Sequence, residues 1–136
     1  MPSFGKGSRD NLNSADKRLI LVFQEVVKRF DCSVISGRRG KAEQNRLFKI
    51  GKSKLTYPDS KHNPVPSLAV DVCPYYPDGG KIRWNDTKGF AYFAGYVLRT
   101  AEEMGVKLRW GGDWDMDFDT QDQDFNDLPH FEIVDE

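Results

Sequence analysis

Histidine occurs only twice in this chain, as rarely as cysteine, and it constrains the fold most. His62 and His130 are the only two histidines, and they lie in distant parts of the sequence. Asp71 lies downstream of His62 and could supply a carboxylate to the same site. Histidine is the commonest metal ligand through its neutral imidazole, and two histidines with one carboxylate and an open position form a known kind of catalytic zinc site. A fold that uses both histidines must bring these segments together, and a zinc hydrolase is the first hypothesis.

The length and charge of the chain favour a single domain with no polyanionic partner. A chain of 136 residues can bury a core without disulfides, so we expect one domain over residues 1–136. The 20 basic and 21 acidic residues leave a formal net charge of -1, and no net positive field draws the chain to nucleic acid or anionic lipid. Basic residues crowd positions 38–54 and aspartates positions 113–127. We expect this acidic loop to face the basic segment.

The apolar stretches of the sequence are short. None has the length of a membrane span, and the first residues lack the apolar core of a secretory signal. We therefore expect a chain that folds in the cytoplasm and does not insert into a membrane. Cys32 and Cys73 are expected to be buried thiols, because a reducing compartment disfavours disulfides and neither lies in a CxxC motif.

Hydrophobic periodicity predicts a mixture of helices and strands. Three helices are predicted, the first capped by Ser14 and the third by Asp86, over 14–30, 41–50 and 87–104. Four strands are predicted at 32–36, 67–76, 106–112 and 130–134, and a turn at 78–80 leads into 81–84. Because these elements do not alternate regularly, the expected fold is an α+β domain with a small, mostly antiparallel sheet flanked by helices.

The three candidate ligands fall at positions that can converge. His62 precedes a predicted strand in a Pro-rich loop, Asp71 lies within that strand, and His130 opens the last strand. On its strand Asp71 shares a face with Ala69 and Cys73. A buried carboxylate without a partner is costly, and a metal ion would satisfy it. The alternative is an arginine partner for Asp71, with both histidines as ordinary structural residues.

Four sequence segments carry a resemblance to a known family. They are GRRGKAEQ (37–44), SKHNPVPSLAVD (60–71), RWGGDW (109–114) and DLPH (127–130). They resemble, in order, the GxRxxxEQ segment, the SxH…AxD zinc motif, the stretch before the last loop and the final (D/E)xxH motif of the LAS-type zinc peptidases. That group contains D-Ala-D-Ala carboxypeptidases and the L-alanyl-D-glutamate endopeptidases of phage lysins. The short single-domain chain is most similar to the phage endolysin branch, which implies a hedgehog/D-Ala-D-Ala peptidase-like fold.

The resemblance implies roles for individual residues. It makes His62, Asp71 and His130 the ligands of one catalytic zinc ion and Asp127 the catalytic carboxylate. Arg39 matches a substrate-contacting arginine, whose charged fork also suits a developing oxyanion. Further substrate contacts are expected from Gln44 and Ser60, and one wall of the cleft from Trp110, Asp113 and Trp114, with core packing as an equal alternative for either tryptophan.

The chain departs from the family pattern between the first two ligands. The family spacing is HxxGxAxD, whereas two additional residues follow His62 here and Ser67 stands where the glycine would lie. The loop must bulge, and Pro64 and Pro66 would stiffen it. The departure concerns the shape of the loop more than the metal site.

The acidic loop suggests a second metal. Alternating aspartates between 113 and 124 could present hard oxygen ligands to a calcium ion. The segment is not an EF-hand, because Phe118 stands where that motif needs glycine and Asp124 where it needs glutamate. The alternative is a solvated loop whose charges repel one another and keep it mobile.

Three functions follow from the resemblance and remain open at this point. The first is a zinc endopeptidase that cuts the L-Ala–D-Glu bond of peptidoglycan as a lysin. The second is a zinc D-Ala-D-Ala carboxypeptidase of the same fold, and the third a catalytically silent wall-binding zinc domain. The first implies a monomer that stays in the host cytoplasm until a separate membrane-permeabilising protein gives it access to the cell wall.

Overall fold

Helices and one sheet account for about half of the chain in a computed structural model, which describes residues 2–135. In chain order the elements are α1 (Lys6–Asn13), α2 (Lys17–Val27), β1 (Cys32–Ser36), α3 (Lys41–Lys49), β2 (Ala69–Pro74), α4 (Thr87–Glu103), β3 (Leu108–Gly111) and β4 (Asp127–Ile133). The strands lie in the order β1-β2-β4-β3, and every neighbouring pair is antiparallel. The predicted α+β class with a small antiparallel sheet is confirmed.

The core lies between the sheet and the two amphipathic helices α2 and α4. Their apolar stripes are buried as predicted, from Leu19 to Val27 and from Phe90 to Ala101. Phe131 of β4 packs against both helices: its ring centroid lies 5.5 Å from that of Phe23 in α2 and 6.0 Å from that of Phe93 in α4. Burial of three such rings contributes several kcal/mol of hydrophobic stabilisation. The helices thus cover one face of the sheet and leave the other for the loops that carry polar side chains.

The start of the chain corrects two expectations. The helix α1 was not predicted, and Ser14 caps its end instead of starting α2. The true N-cap of α2 is Asp16, whose side chain accepts a hydrogen bond from the backbone of Arg18. An aspartate is at least as good an N-cap as a serine, and the Ser14 hydroxyl instead donates to the Asn11 carbonyl.

The middle of the chain matches its predictions more closely. Asp86 caps α4 as expected, because its side chain accepts a hydrogen bond from the backbone of Gly89. The turn at 78–80 is present, and the segment at 81–84 that follows it is irregular. No described helix has the length and apolarity that crossing a bilayer demands.

The two cysteines lie on adjacent strands as buried, free thiols. Burial raises the pKa of Cys73 to about 12 and that of Cys32 further still. A thiol that stays protonated at neutral pH is a poor nucleophile. The prediction of two structural thiols is confirmed.

Candidate metal centre

The three predicted ligands meet on the loop-covered side of the sheet. The register of the two central strands places Asp71 directly opposite His130, and the loop before β2 brings His62 to the same point. The Oδ1 atom of Asp71 lies 3.3 Å from Nε2 of His62 and 3.4 Å from Nδ1 of His130. All three side chains are buried, and their ligand atoms lie within 4.8 Å of one another.

The orientation of the His62 ring is set by the backbone of the segment that follows β1. Its Nδ1 atom lies 2.8 Å from the carbonyl oxygen of Gly37. A carbonyl can only accept, so Nδ1 donates and the lone pair of Nε2 points to Asp71. Gly37 is required here, because a Cβ atom would lie 2.0 Å from the carbonyl oxygen of Asn11 in α1. The helix α1 therefore supports the first ligand indirectly.

The orientation of the His130 ring is set by a buried acid that sequence analysis missed. Its Nε2 atom lies 2.7 Å from Oε1 of Glu132, which is 5% exposed. Burial would raise the pKa of Glu132, but the hydrogen bond with His130 and the charges of His130 and Arg109 lower it. The ionised carboxylate accepts from Nε2 and leaves the lone pair of Nδ1 for Asp71. Residues two apart on a strand share a face, and this spacing was the available signal.

These hydrogen bonds create a demand for a cation. Two imidazole nitrogens and one carboxylate oxygen converge as acceptors, and Oδ1 of Asp71 is buried without a hydrogen-bond partner within residues 2–135. Such an arrangement is unfavourable unless a positive charge lies among the three atoms. Imidazole nitrogen and carboxylate oxygen are both ligands of zinc, and ligand histidines characteristically donate their other ring nitrogen to a carboxylate or carbonyl. The residues present fit a zinc ion.

Without a metal, a proton on His130 supplies that positive charge. Burial lowers the pKa of His130, but the carboxylates of Asp71 and Glu132 outweigh it and raise the pKa to about 9. Burial likewise raises the pKa of Asp71, yet the neighbouring imidazoles hold it well below its usual range. Asp71 is therefore charged in the metal-free protein at neutral pH.

This protonation predicts a pH dependence of metal binding. Below pH 9 the metal-free protein holds a proton on His130 that must leave before Nδ1 can bind an ion. We expect the apparent zinc affinity to rise about tenfold for each pH unit between about 7 and 8.5 and to level off above 9, because one proton is released in that window. Competition with a chromogenic chelator measures it. An affinity that is constant across that window would contradict the prediction.

Glu132 gives a second prediction. The change Glu132→Gln keeps the side-chain size but weakens the acceptor that holds the His130 ring, so we expect zinc affinity to fall about tenfold. The same chelator competition measures the loss. Glu25→Gln, on the exposed face of α2, is the matched control and should leave the affinity unchanged. Equal affinities for wild type and Glu132→Gln would show that the ring needs no such partner.

Arg39 is the second partner of Asp71. Its Nη2 atom donates to Oδ2 of Asp71 over 2.7 Å, and its Nε donates to the Ser36 hydroxyl over 3.1 Å. The two partners proposed for Asp71, a metal and an arginine, are therefore compatible: Oδ2 binds Arg39 while Oδ1 faces the histidines. The guanidinium still has N–H groups to donate, and it lines the cleft beside the ligands.

Asp127 lies beside the three ligand atoms without joining them. Its Oδ2 atom is 3.8 Å from Nδ1 of His130, and its side chain is 36% exposed. Burial and then the charge of Asp71 raise its pKa above the ordinary value for an aspartate. Gly111 permits this position, because a Cβ atom there would lie 2.0 Å from the carbonyl oxygen of Asp127. A carboxylate so placed can exchange protons with a substrate in the cleft.

The other predicted site residues divide into two groups. Ser60 and Trp114 line a cleft of about 180 Å³ together with the three predicted ligands. The Ser60 hydroxyl accepts from the backbone of His62, and the Trp114 ring lies 5.3 Å from that of His130, centroid to centroid. Among the residues that sequence analysis missed, Phe125 lies on the same wall, stacked on Trp114.

Gln44, Trp110 and Asp113 do not line this cleft. Gln44 is fully buried, and its amide holds Ser53, Leu55 and Asn63 in the surrounding loops. Trp110 belongs to the core, where its indole donates to the Leu128 carbonyl. Core packing, the alternative for either tryptophan, therefore applies to Trp110. Asp113 instead accepts hydrogen bonds from the backbone of residues 117 and 118 and shapes the acidic loop.

The fold and the site fit a metallopeptidase, in which a cation held by the three buried side chains and a neighbouring carboxylate would serve an open cleft. The family follows from comparison with known proteins. Residues 2–134 match the family model described as phage L-alanyl-D-glutamate peptidase, and the chain belongs to that family.

Two relatives show how far the likeness extends. The chain is 31% identical over 122 residues to the L-alanyl-D-glutamate peptidase of Escherichia phage T5, covering 88% of this chain and 87% of that protein. The crystal structure of the Serratia marcescens L-Ala D-Glu endopeptidase ChiX resembles it with a TM-score of 0.75 at 26% identity, covering 98% of this chain and 91% of that one. The resemblance inferred from the four motifs is confirmed.

Proposed function

We propose that this protein is a zinc-dependent endopeptidase that hydrolyses the L-Ala–D-Glu bond in the stem peptide of bacterial peptidoglycan. One observation carries the metal-dependent part: Oδ1 of Asp71 is buried without a hydrogen-bond partner among the described residues, between two imidazole lone pairs. Membership of the phage L-alanyl-D-glutamate peptidase family supports the substrate.

The proposed ligands His62, Asp71 and His130 would hold the ion, and Asp127 would move the proton. Zinc bound there would polarise the scissile carbonyl and make water a nucleophile near neutral pH. Asp127 Oδ2 takes the proton from the attacking water and delivers it to the leaving amine. The raised pKa of Asp127 suits both steps, because a more basic carboxylate accepts a proton more readily and can still release it.

Arg39 acts on the scissile carbonyl group and binds the opposite oxygen of Asp71 from the one that faces the histidines. Two of its N–H groups hold Asp71 and Ser36, and its remaining donors stabilise the negative charge that develops on the carbonyl oxygen of the scissile bond. The fork is held rigidly by these two bonds and by the fold, so it needs little reorganisation during the reaction. Ser60 and Trp114 contact the substrate from the walls of the cleft.

One digestion tests the proposal against both other functions. Purified protein is incubated with peptidoglycan, with and without a chelator, and the new termini are identified by mass spectrometry. We expect new L-Ala carboxyl termini and D-Glu amino termini, which the chelator suppresses and zinc restores. Release of single D-Ala would identify a carboxypeptidase instead, and intact stems in the presence of zinc would identify a silent wall-binding domain.

We also place this activity at the end of an infection. A peptidase made in the host cytoplasm reaches the wall only after a separate protein opens the membrane, and the chain acts there as a monomer. Expression in a bacterial host should therefore cause lysis only when the membrane is permeabilised. Lysis by the chain alone would contradict the need for a second protein.

The calcium site in the acidic loop stays a prediction. Oxygens of Asp113, Asp115 and Asp117 lie within 4.8 Å of one another, but the Asp113 carboxylate already accepts two backbone hydrogen bonds. Internal capping of the loop explains these contacts equally well. A calcium titration that changes neither the melting temperature nor the activity would remove the calcium hypothesis.

A further inference from the structure

Three lysines line the cleft that contains the proposed ligands. Lys52, Lys54 and Lys61 are exposed there, and none of them forms an ion pair within residues 2–135, whereas the fourth cation of the cleft, Arg39, is bound to Asp71. The lysines come from the segment between α3 and His62, and only Lys52 and Lys54 belong to the basic stretch at 38–54 that the sequence showed.

The carboxylates of the cleft are engaged elsewhere. Asp71 is held by Arg39 and faces the histidines, and Glu132 is held by His130 and Arg109. The third carboxylate of the cleft, Asp127, has His130 as its nearest basic neighbour and forms no ion pair with a lysine or arginine among the described residues. A divalent ion would add further positive charge, so the cleft is locally cationic although the whole chain has a net charge of -1. Such a cleft attracts an anionic ligand.

One of the three lysines is fixed against the aromatic wall. The Nζ atom of Lys54 lies 4.6 Å from the ring centroid of Phe125, whose ring stacks on Trp114 with centroids 6.5 Å apart. Trp114 in turn lies against His130. The cation–π contact holds the ammonium in place and leaves N–H groups free to donate. Lys61 immediately precedes His62, so its backbone is fixed beside the first ligand.

The substrate supplies the complementary charge. A glutamyl residue on the amine side of the scissile bond uses its amine and one carboxyl group in the chain. Its other carboxylate is free and lies only a few bonds from the scissile nitrogen. Any enzyme that cuts this bond must place that charge next to the catalytic centre, where burying it without a cation would be costly.

We propose that Lys52, Lys54 and Lys61 form a subsite that recognises the free carboxylate of the glutamyl residue at the scissile bond. The protein therefore prefers stem peptides that carry this carboxylate over stems in which it is amidated. This specificity rests on the proposed endopeptidase function and adds to it the form of the stem that is cut.

Two synthetic stem peptides that differ only in this group, carboxylate or carboxamide, test the subsite. For the zinc-loaded wild type we expect kcat/KM to be about tenfold higher on the carboxylate stem, since partly exposed charge pairs each contribute modestly. The triple variant Lys52→Gln, Lys54→Gln, Lys61→Gln should cut both stems at similar rates, by losing activity on the carboxylate stem alone. The single variants then show which ammonium contributes most.

Lys49→Gln is the matched control. It removes the same charge from the end of α3, outside the cleft, and should keep the wild-type preference. Binding of the carboxylate stem by wild type should also weaken with added salt, and less so in the triple variant. Equal cleavage of both stems by wild type, or an unchanged preference in the folded triple variant, would overturn the subsite alone. Cleavage of neither stem by wild type would overturn the endopeptidase function as well.

Discussion

The variant Asp127→Asn is expected to lose about a thousandfold in kcat/KM while it keeps its fold and its zinc, because removal of a general base or acid typically costs two to four orders of magnitude. Asparagine has nearly the same shape but cannot take a proton from water. Asp127 lies 3.8 Å from His130 Nδ1 and is partly exposed, so the change neither removes a proposed ligand nor opens a cavity.

Three measurements separate the loss of chemistry from damage to the protein. Initial rates on a defined stem peptide give kcat/KM, metal analysis gives the zinc content, and a thermal melt gives the stability. Asp10→Asn, an exposed acid in α1 that pairs with Lys6, is the control and should behave as wild type. An Asp127→Asn variant with wild-type rates would support a silent or differently organised site.

The variant His62→Ala is expected to abolish stoichiometric zinc binding and, with it, activity by at least about a thousandfold. Two ligands that remain hold an ion much more weakly than three. The change also leaves Gly37 without its donor and opens a small cavity at a residue that is 2% exposed. We therefore expect some loss of stability, of about 1–3 kcal/mol.

Wild type stripped of metal is the matched control for this variant. Added zinc should restore the stripped wild type to full activity and raise its melting temperature, and it should do neither for His62→Ala. Circular dichroism confirms that the variant retains its helices and sheet. Activity in His62→Ala that survives chelation would show that the hydrolysis does not depend on this metal centre.

Two helices were predictable from sequence because each carries a continuous apolar stripe. The helices α2 and α4 bury such stripes against the sheet. The helix α1 buries only Leu12 and is held by side-chain hydrogen bonds to β1, including one from Asn11 to the Val34 carbonyl. A short helix with one buried leucine has no run of apolar residues at helical spacing that would reveal it.

The proposed site was predictable to the extent that its residues are rare or lie in a recognisable motif. Two histidines in the whole chain left few ways to form a metal site, and the three proposed ligands do converge. The roles of Trp110 and Trp114 depend on a different fact, the strand irregularity between Trp110 and Gly111. The strand ends there, and the indole before the irregularity lies in the core while the indole after it lines the cleft. Local sequence does not reveal such a bulge.

Contacts between loops could not be predicted at all. Lys54 meets Phe125, and Gln44 binds Asn63, although each pair is far apart in sequence. These contacts depend on how the loops around the sheet close, and no periodicity encodes that. The sequence showed a basic segment and an acidic loop. The structure adds that Lys54 of the basic segment packs against the ring of Phe125 in the acidic loop.

The placement of Asp71 and His130 on paired central strands has a consequence for how such enzymes diversify. Two of the three proposed ligands thus lie on paired strands of the sheet, whereas His62, the three lysines of the cleft and Phe125 belong to connecting segments. Exchanging the parts of those segments around Lys54 and Phe125 between family members, with His62 kept in place, should change which modified walls are cut without moving the proposed ligands. Lytic enzymes for chosen bacteria could be built in this way by keeping the sheet and the proposed ligands and exchanging the loops around them.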